Sequence, residues 1–175
     1  EEGFRVTYLP GDQYGRVKLS ALREALCKET ILVSIMYVNN EVGSVQPVKE
    51  AAGIVKAYNR EIIFHSDAVQ GFGKYRIFPK REGIDLLTVS SHKIHGPKGM
   101  GALYISDKVK IRPIVFGGEQ QKNIRSGTEN VPGIAGFALA AKMVYSDLEE
   151  KTARMRKLKE RFIEGIRQVD HVSVH

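Results

Sequence analysis

The chain has 175 residues, 42% of them hydrophobic and 27% charged, with a formal net charge of +7. That length and mix suit one ordinary globular domain with a sizeable core. No apolar run approaches the roughly 18 residues a membrane-spanning helix needs, and the opening Glu1-Glu2-Gly3-Phe4 has neither the basic nor the apolar region of a secretory signal.

The single cysteine, Cys27, excludes an internal disulfide framework and suits a reducing, cytoplasmic compartment. The histidines show no metal-ligand spacing, so no metal site is expected. Much of the positive charge lies between Lys151 and Arg167, beside Glu160 and Glu164. Such a mixed face on an amphipathic helix is usually solvated. Its one aromatic, Phe162, belongs to the apolar face and no nucleic-acid module is recognisable, so a nucleic-acid partner is not expected, and neither is a membrane.

In chain order, Phe4 to Leu9 alternates like a strand and is broken by Pro10-Gly11-Asp12. Lys18 to Leu26 predicts a short helix with Leu19, Leu22 and Leu26 on one face. Cys27 falls at its C-terminus beside Lys28, where nothing favours a thiolate, so it reads as structural. Ile31 to Val38 is a near-continuous apolar run, predicting a strand buried on both faces, and it ends in Asn39-Asn40-Glu41-Val42-Gly43. Pro47 opens a helix through about Tyr58. A second strand, Glu61 to His65, runs into Ser66-Asp67-Ala68-Val69-Gln70-Gly71. Asp67 there suits a helix cap, a surface turn, or a carboxylate facing a cationic ring nitrogen. Residues 74–84 are basic and irregular.

Leu86 to Val89 is the third strand, and Ser90-Ser91-His92-Lys93 follows it directly. A lysine at the mouth of a strand is either a solvated charge or an amine that meets a carbonyl or a phosphate. The turn Gly96-Pro97-Lys98-Gly99 leads to another apolar run, Gly101 to Ile105. Lys98 is a rival lysine, but it lies inside the turn rather than at the strand end. Arg125-Ser126-Gly127-Thr128-Glu129-Asn130 suits an anion or a capped turn into the next helix. Pro132 to about Tyr145 predicts a helix whose small residues should pack closely. From about Asp147 to Gln168 a long amphipathic helix carries Met155, Leu158, Phe162 and Ile166 on one face, for core or interface. Val172 to His175 resembles a strand cut short.

The alternation of apolar strands with helices or loops predicts an α/β fold, a mostly parallel sheet covered by helices. Parallel strands share one carboxyl edge, where open α/β sheets bind ligands. Asn40, Asp67 and Lys93 should therefore converge there.

Four motifs now carry a resemblance. Asn39-Asn40-Glu41-Val42-Gly43, His65 to Gln70, Ser90 to Gly99 and Arg125 to Thr128 resemble the cysteine desulfurases, pyridoxal-phosphate enzymes of the class V aminotransferase group. The likeness runs essentially the whole length of the chain. It implies that Lys93 joins the cofactor aldehyde and later moves protons on the substrate. Asp67 would pair with the pyridine nitrogen, Gln70 would bond the ring hydroxyl with Asn40 beside it, and Ser90 and His92 would hold the phosphate. Thr128 would reach the phosphate of a neighbouring subunit in a homodimer.

The same resemblance implies a substrate, L-cysteine, and a sulfur-accepting scaffold or carrier protein that feeds iron–sulfur cluster or thio-cofactor assembly. The family's persulfide cysteine and substrate-gripping arginine match nothing here, and Cys27 does not stand in for the former. Residues 1–148 would be the central part of the cofactor-binding large domain, and 149–175 a helix entering the small domain. The alternatives are another class V enzyme, such as a selenocysteine lyase or transaminase, or an inactive isolated fragment.

Overall fold

The computed structural model describes residues 3–174. Its centre is a four-stranded sheet ordered β1 (Leu32–Ser34), β2 (Ile63–Asp67), β3 (Leu86–Ser90) and β4 (Gly101–Ile105). The first three strands are parallel; β4 returns antiparallel to β3. Helix α1 (Leu19–Ala25) precedes β1, and α2 (Val48–Tyr58) and α3 (Pro79–Glu82) fill the β1–β2 and β2–β3 connections. A short turn, α4 (Gln120–Asn123), leads to α5 (Val131–Ser146) and α6 (Leu148–Ile166). Among the described residues no helix is long and apolar enough to cross a membrane.

The pleat sorts the strands into two faces. Val33, Phe64, Leu87 and Val89 are buried and meet Ala51, Ala52 and Val55 of α2 and Leu22 of α1. The opposite face carries Ser34, His65, Asp67, Thr88 and Ser90, which are half-buried or exposed. The run from Ile31 was expected to be buried on both faces. Instead β1 is three residues long, with Leu32 and Ser34 exposed, because it is the sheet's edge and α2 packs on one side only. Its ladder continues irregularly, Ile35 N donating to His65 O and Tyr37 N to Asp67 O.

Two expected strands are absent among the described residues. Phe4 to Leu9 has no assigned secondary structure and joins no ladder, and Phe4, Val6 and Tyr8 are exposed; alternation predicts a strand only where a neighbour can complete the ladder. Residues 172–174 form no strand either, and His175 lies outside the described residues.

Asp85 ties the layers together. Its backbone N–H donates to Phe64 O (2.8 Å), and its carboxylate accepts the Phe64 N–H (2.8 Å). The same carboxylate receives Lys56 Nζ from α2 and Lys108 Nζ (3.0 Å) from the chain beyond β4. Lys56 also donates to Ile62 O. Burial alone would push the Asp85 carboxyl up; Lys56, the Phe64 amide and Lys108 outweigh it and hold the carboxyl below its ordinary range.

Removing one partner of a buried ion pair strands the other, at about 3 kcal/mol. Asp85→Asn should therefore lower the unfolding free energy by about that amount at neutral pH, read by urea denaturation. Because the folded carboxyl titrates below its unfolded value, its contribution is complete above the ordinary carboxylate range and fades as pH falls through the folded value. The gap between wild type and variant should close on that acid side.

Candidate functional site

The carboxyl ends of β2 and β3 lie side by side. Asp67 is in register with Thr88, two residues before Ser90. Asp67 ends its strand half-buried, and one carboxylate oxygen accepts the Val69 N–H at 2.9 Å. Among the described residues the other oxygen has no hydrogen-bond partner. Of the local roles expected for Asp67 the turn is thus realised and the helix cap is not, since no helix starts there; one oxygen is used, leaving the second for a ligand.

Past Ser90 the chain makes a single 3-10 turn over His92–Ile94. Residues three apart eclipse in such a turn. Ser91 and Ile94 are both buried, so His92 and Lys93 are turned outward and exposed. The turn is closed by Ser91 O, which accepts Ile94 N (3.0 Å) and Gly96 N (3.1 Å), and by the left-handed His95 (φ 65°). Ser90 Oγ and His92 Nδ1 are 2.8 Å apart, so the two expected phosphate ligands are already a pair. Lys93 Nζ has no acceptor within hydrogen-bond reach among the described residues. Lys98 is also exposed, in the glycine turn beyond it.

Close packing holds this turn in place. A Cβ at Gly136 of α5 would fall 2.7 Å from Pro97 Cγ, one at Gly133 2.7 Å from Met100 Sδ, and one at Gly96 3.1 Å from Ala140 Cβ. The small-residue character of α5 is therefore what lets the Lys93-bearing turn sit against it. Gly73 (φ +76°) packs on the same turn and on α5: a Cβ there would fall 2.6 Å from Ile94 Cγ2 and 3.2 Å from Val144 Cγ1.

That approach brings in a residue with no role in the sequence motifs. Lys74 is half-buried next to Gly73; burial pushes its pKa down, and the Lys93 charge pushes it further the same way. The site is thus rich in cationic groups, with Asp67 as its acid. His65, which opens one of the motifs but carried no expected role, is the second residue of note. It lies on the Asp67 face of β2, bridging Ser34 and Thr88 through its two ring nitrogens. Neither is marked by sequence spacing, because both act through neighbours distant in the chain.

The remaining expected residues are placed less centrally. Gln70 is half-buried in the turn directly after β2. Asn40 is exposed on the loop after β1, and its side-chain amide donates to Glu41 at 2.7 Å. Thr128 is exposed on the loop before α5. That loop is braced by Gly127 N donating to Gln120 Oε1 (3.1 Å) and Ser126 Oγ donating to Gly118 O (2.6 Å). Of the two uses expected for residues 125–130, the capped turn is present: Asn130 accepts Gly133 N at 3.0 Å and starts α5.

The residues present fit pyridoxal phosphate as a donor set: an unpaired amine, a carboxylate with a free oxygen on the adjacent strand end, and a hydroxyl–imidazole pair in the segment that follows β3. A family model described as aminotransferase class-V matches residues 1–175. The chain is 47% identical to the cysteine desulfurase IscS of Methanosarcina thermophila, over 99% of this chain and 43% of that protein. Its backbone resembles that of a solved NifS-like protein, with a TM-score of 0.93 and 44% identity, covering 95% of this chain and 46% of that one. It also resembles SspA in complex with cysteine, with a TM-score of 0.75 and 39% identity over 80% of this chain and 40% of that one. The chain spans less than half the length of these relatives.

Gly73→Ala combines a left-handed backbone with a collision against Ile94, so it should cost about 1–3 kcal/mol in urea denaturation. Gly99→Ala is the control: its φ is +75°, but nothing lies within 4 Å of a Cβ there. The Gly73 variant should be the less stable of the two.

Proposed function

The chain belongs to the aminotransferase class-V family, and on that footing we propose that it is the central part of a pyridoxal-phosphate-dependent cysteine desulfurase. The observation that carries this reading is the pairing of strand ends, β2 delivering a carboxylate with a free oxygen and β3 delivering the unpaired Lys93 amine. The parent protein would take sulfur from L-cysteine, leaving L-alanine and an enzyme persulfide. A scaffold or carrier protein would accept that sulfur for iron–sulfur cluster or thio-cofactor assembly in the cytoplasm.

Pyridoxal phosphate supplies an electron-withdrawing ring that stabilises negative charge at the substrate α carbon. The chain's own residues bind it and handle protons. Lys93 would hold the cofactor through its aldehyde and would hold or move the proton at the substrate α carbon. Asp67 keeps the ring nitrogen protonated, because a carboxylate beside a cation favours both charges. Ser90 and His92 donate to the phosphate, and Lys74 adds positive charge nearby. Gln70 bonds the ring hydroxyl, with Asn40 beside it.

Thr128, on its braced exposed loop, reaches the phosphate of a second copy in a homodimer. Residues 1–148 belong to the large domain, and 149–175, most of α6, lead into the small one. The likeness to IscS and to a structure described as holding cysteine supports L-cysteine over other substrates. The persulfide cysteine and the arginine for the substrate carboxylate are to be sought outside residues 1–175.

In the full-length protein, borohydride should fix the cofactor onto Lys93, identified by peptide mass spectrometry. Lys93→Ala should lose the visible cofactor band and lower alanine release from L-cysteine by at least 10²–10⁴-fold, roughly the contribution of a positioned proton-transfer group. A Lys93→Ala protein with unchanged turnover would sink the reading. Amino-group transfer without alanine and persulfide formation would reassign it to a transaminase.

A further inference from the structure

Three parallel strands contribute one polar residue each to a continuous row: Ser34 from β1, His65 from β2 and Thr88 from β3. Ser34 stands opposite His65 in the β1–β2 ladder, and Thr88 stands opposite Asp67 in the β2–β3 ladder. Ser34 Oγ is 2.8 Å from His65 Nδ1, and Thr88 Oγ1 is 2.9 Å from His65 Nε2. The imidazole is therefore held at both nitrogens and cannot turn without breaking a bond.

The chemistry of its partners matters as much as their number. A neutral imidazole needs one donor and one acceptor, and a hydroxyl can be either. Neither partner is a carboxylate, so neither rewards a charged ring. The other residues that β1 and β3 place on this face are Leu32, Leu86 and Ser90, also uncharged. Asp67, two residues further along β2, is the titratable neighbour on these strands. Half-burial pushes the His65 pKa down; Asp67 pulls it up, and burial is the larger effect.

We propose that Ser34, His65 and Thr88 form a positioning device for Asp67. The two hydroxyls lock His65 as a fixed, uncharged imidazole on the Asp67 face of the sheet, so the Asp67 charge is directed to the cofactor's ring nitrogen and not shared with a neighbouring imidazolium. His65 is a positioning residue: it acts through Asp67 and moves no proton of the substrate. The proposal rests on the assignment of Asp67 to the ring nitrogen.

The test uses the full-length protein and two substitutions at Ser34. Ser34→Asp places a carboxylate on Nδ1 and favours the imidazolium; Ser34→Asn keeps a hydrogen bond without a charge. Exchange of the histidine C2 hydrogen, followed by mass spectrometry across pH in the cofactor-free protein, should show His65 titrating below the ordinary histidine value. Ser34→Asp should raise that midpoint by about one pH unit, a tenfold change in protonation, and Ser34→Asn should leave it near wild type. In the loaded enzyme Ser34→Asp should shift the pH profile of the visible cofactor band and lower kcat about tenfold with little change in KM for L-cysteine, while Ser34→Asn keeps most of the wild-type kcat. A His65 that titrates at or above the ordinary value overturns the proposal. So does a holoenzyme, labelled at Lys93 by borohydride, in which the Asp and Asn variants behave alike. A holoenzyme that borohydride leaves unlabelled at Lys93 overturns the cofactor assignment itself, and the His65 exchange midpoint still reports separately whether the imidazole is clamped neutral.

Discussion

The site depends on one buried carboxylate that takes no part in it. Asp85 stands at the foot of β3 and binds the Phe64 amide of β2, Lys56 of α2 and Lys108 from beyond β4. Its own carbonyl accepts Ser106 N at 2.9 Å, closing the β4 side as well. Ser90 lies five positions after Asp85 along β3, so whatever sets the foot of the strand also sets its mouth. A charge taken out of water is tolerated only when its lone pairs are occupied, and Asp85 meets that demand by recruiting three layers at once.

The opposite end of β3 is held by shape. Gly133 and Gly136 of α5 receive Met100 and Pro97, Gly96 lies against Ala140, and Gly73 lies against Ile94. Backbone approaches this close leave no room for a Cβ. The Lys93 turn is thus held by close packing, with Ser91 and Ile94 facing inward. An outward, unpaired lysine on a rigid turn is a different object from a solvated surface lysine of the same sequence. The turn that carries it is placed by packing within the protein itself.

Electrostatics complete the arrangement. Lys93, Lys74 and His92 make one side of the site cationic or hydrogen-bond donating, while Asp67 marks the other. An anionic cofactor carrying a protonatable ring nitrogen suits that polarity. His65, bonded to two hydroxyls and with burial pushing its pKa down, adds nothing that favours a further cation there.

Much of this was legible in the sequence. Apolar periodicity located α1, α2, β3, α5 and α6 within a few residues, and the polar ends of β2 and β3 marked Asp67, Ser90, His92 and Lys93. Such signals are local: a strand's burial and a helix's face are written in consecutive residues. Phe4 to Leu9 carried the same local signal and formed no strand, because alternation says nothing about whether a partner exists. The expected double burial of the run from Ile31 failed for the same reason, since its place at the sheet edge is set by topology.

What the sequence by itself determined was the element pattern and the chemical types gathered at strand ends. Only the tertiary structure decided that Lys74 lies beside Lys93, that His65 is clamped between Ser34 and Thr88, and that Asp85 joins Lys56 to Lys108. Each of those contacts joins residues 19 or more positions apart across strand register or turn packing. Register follows from the ladders and the core as a whole, so no single stretch of the chain encodes it.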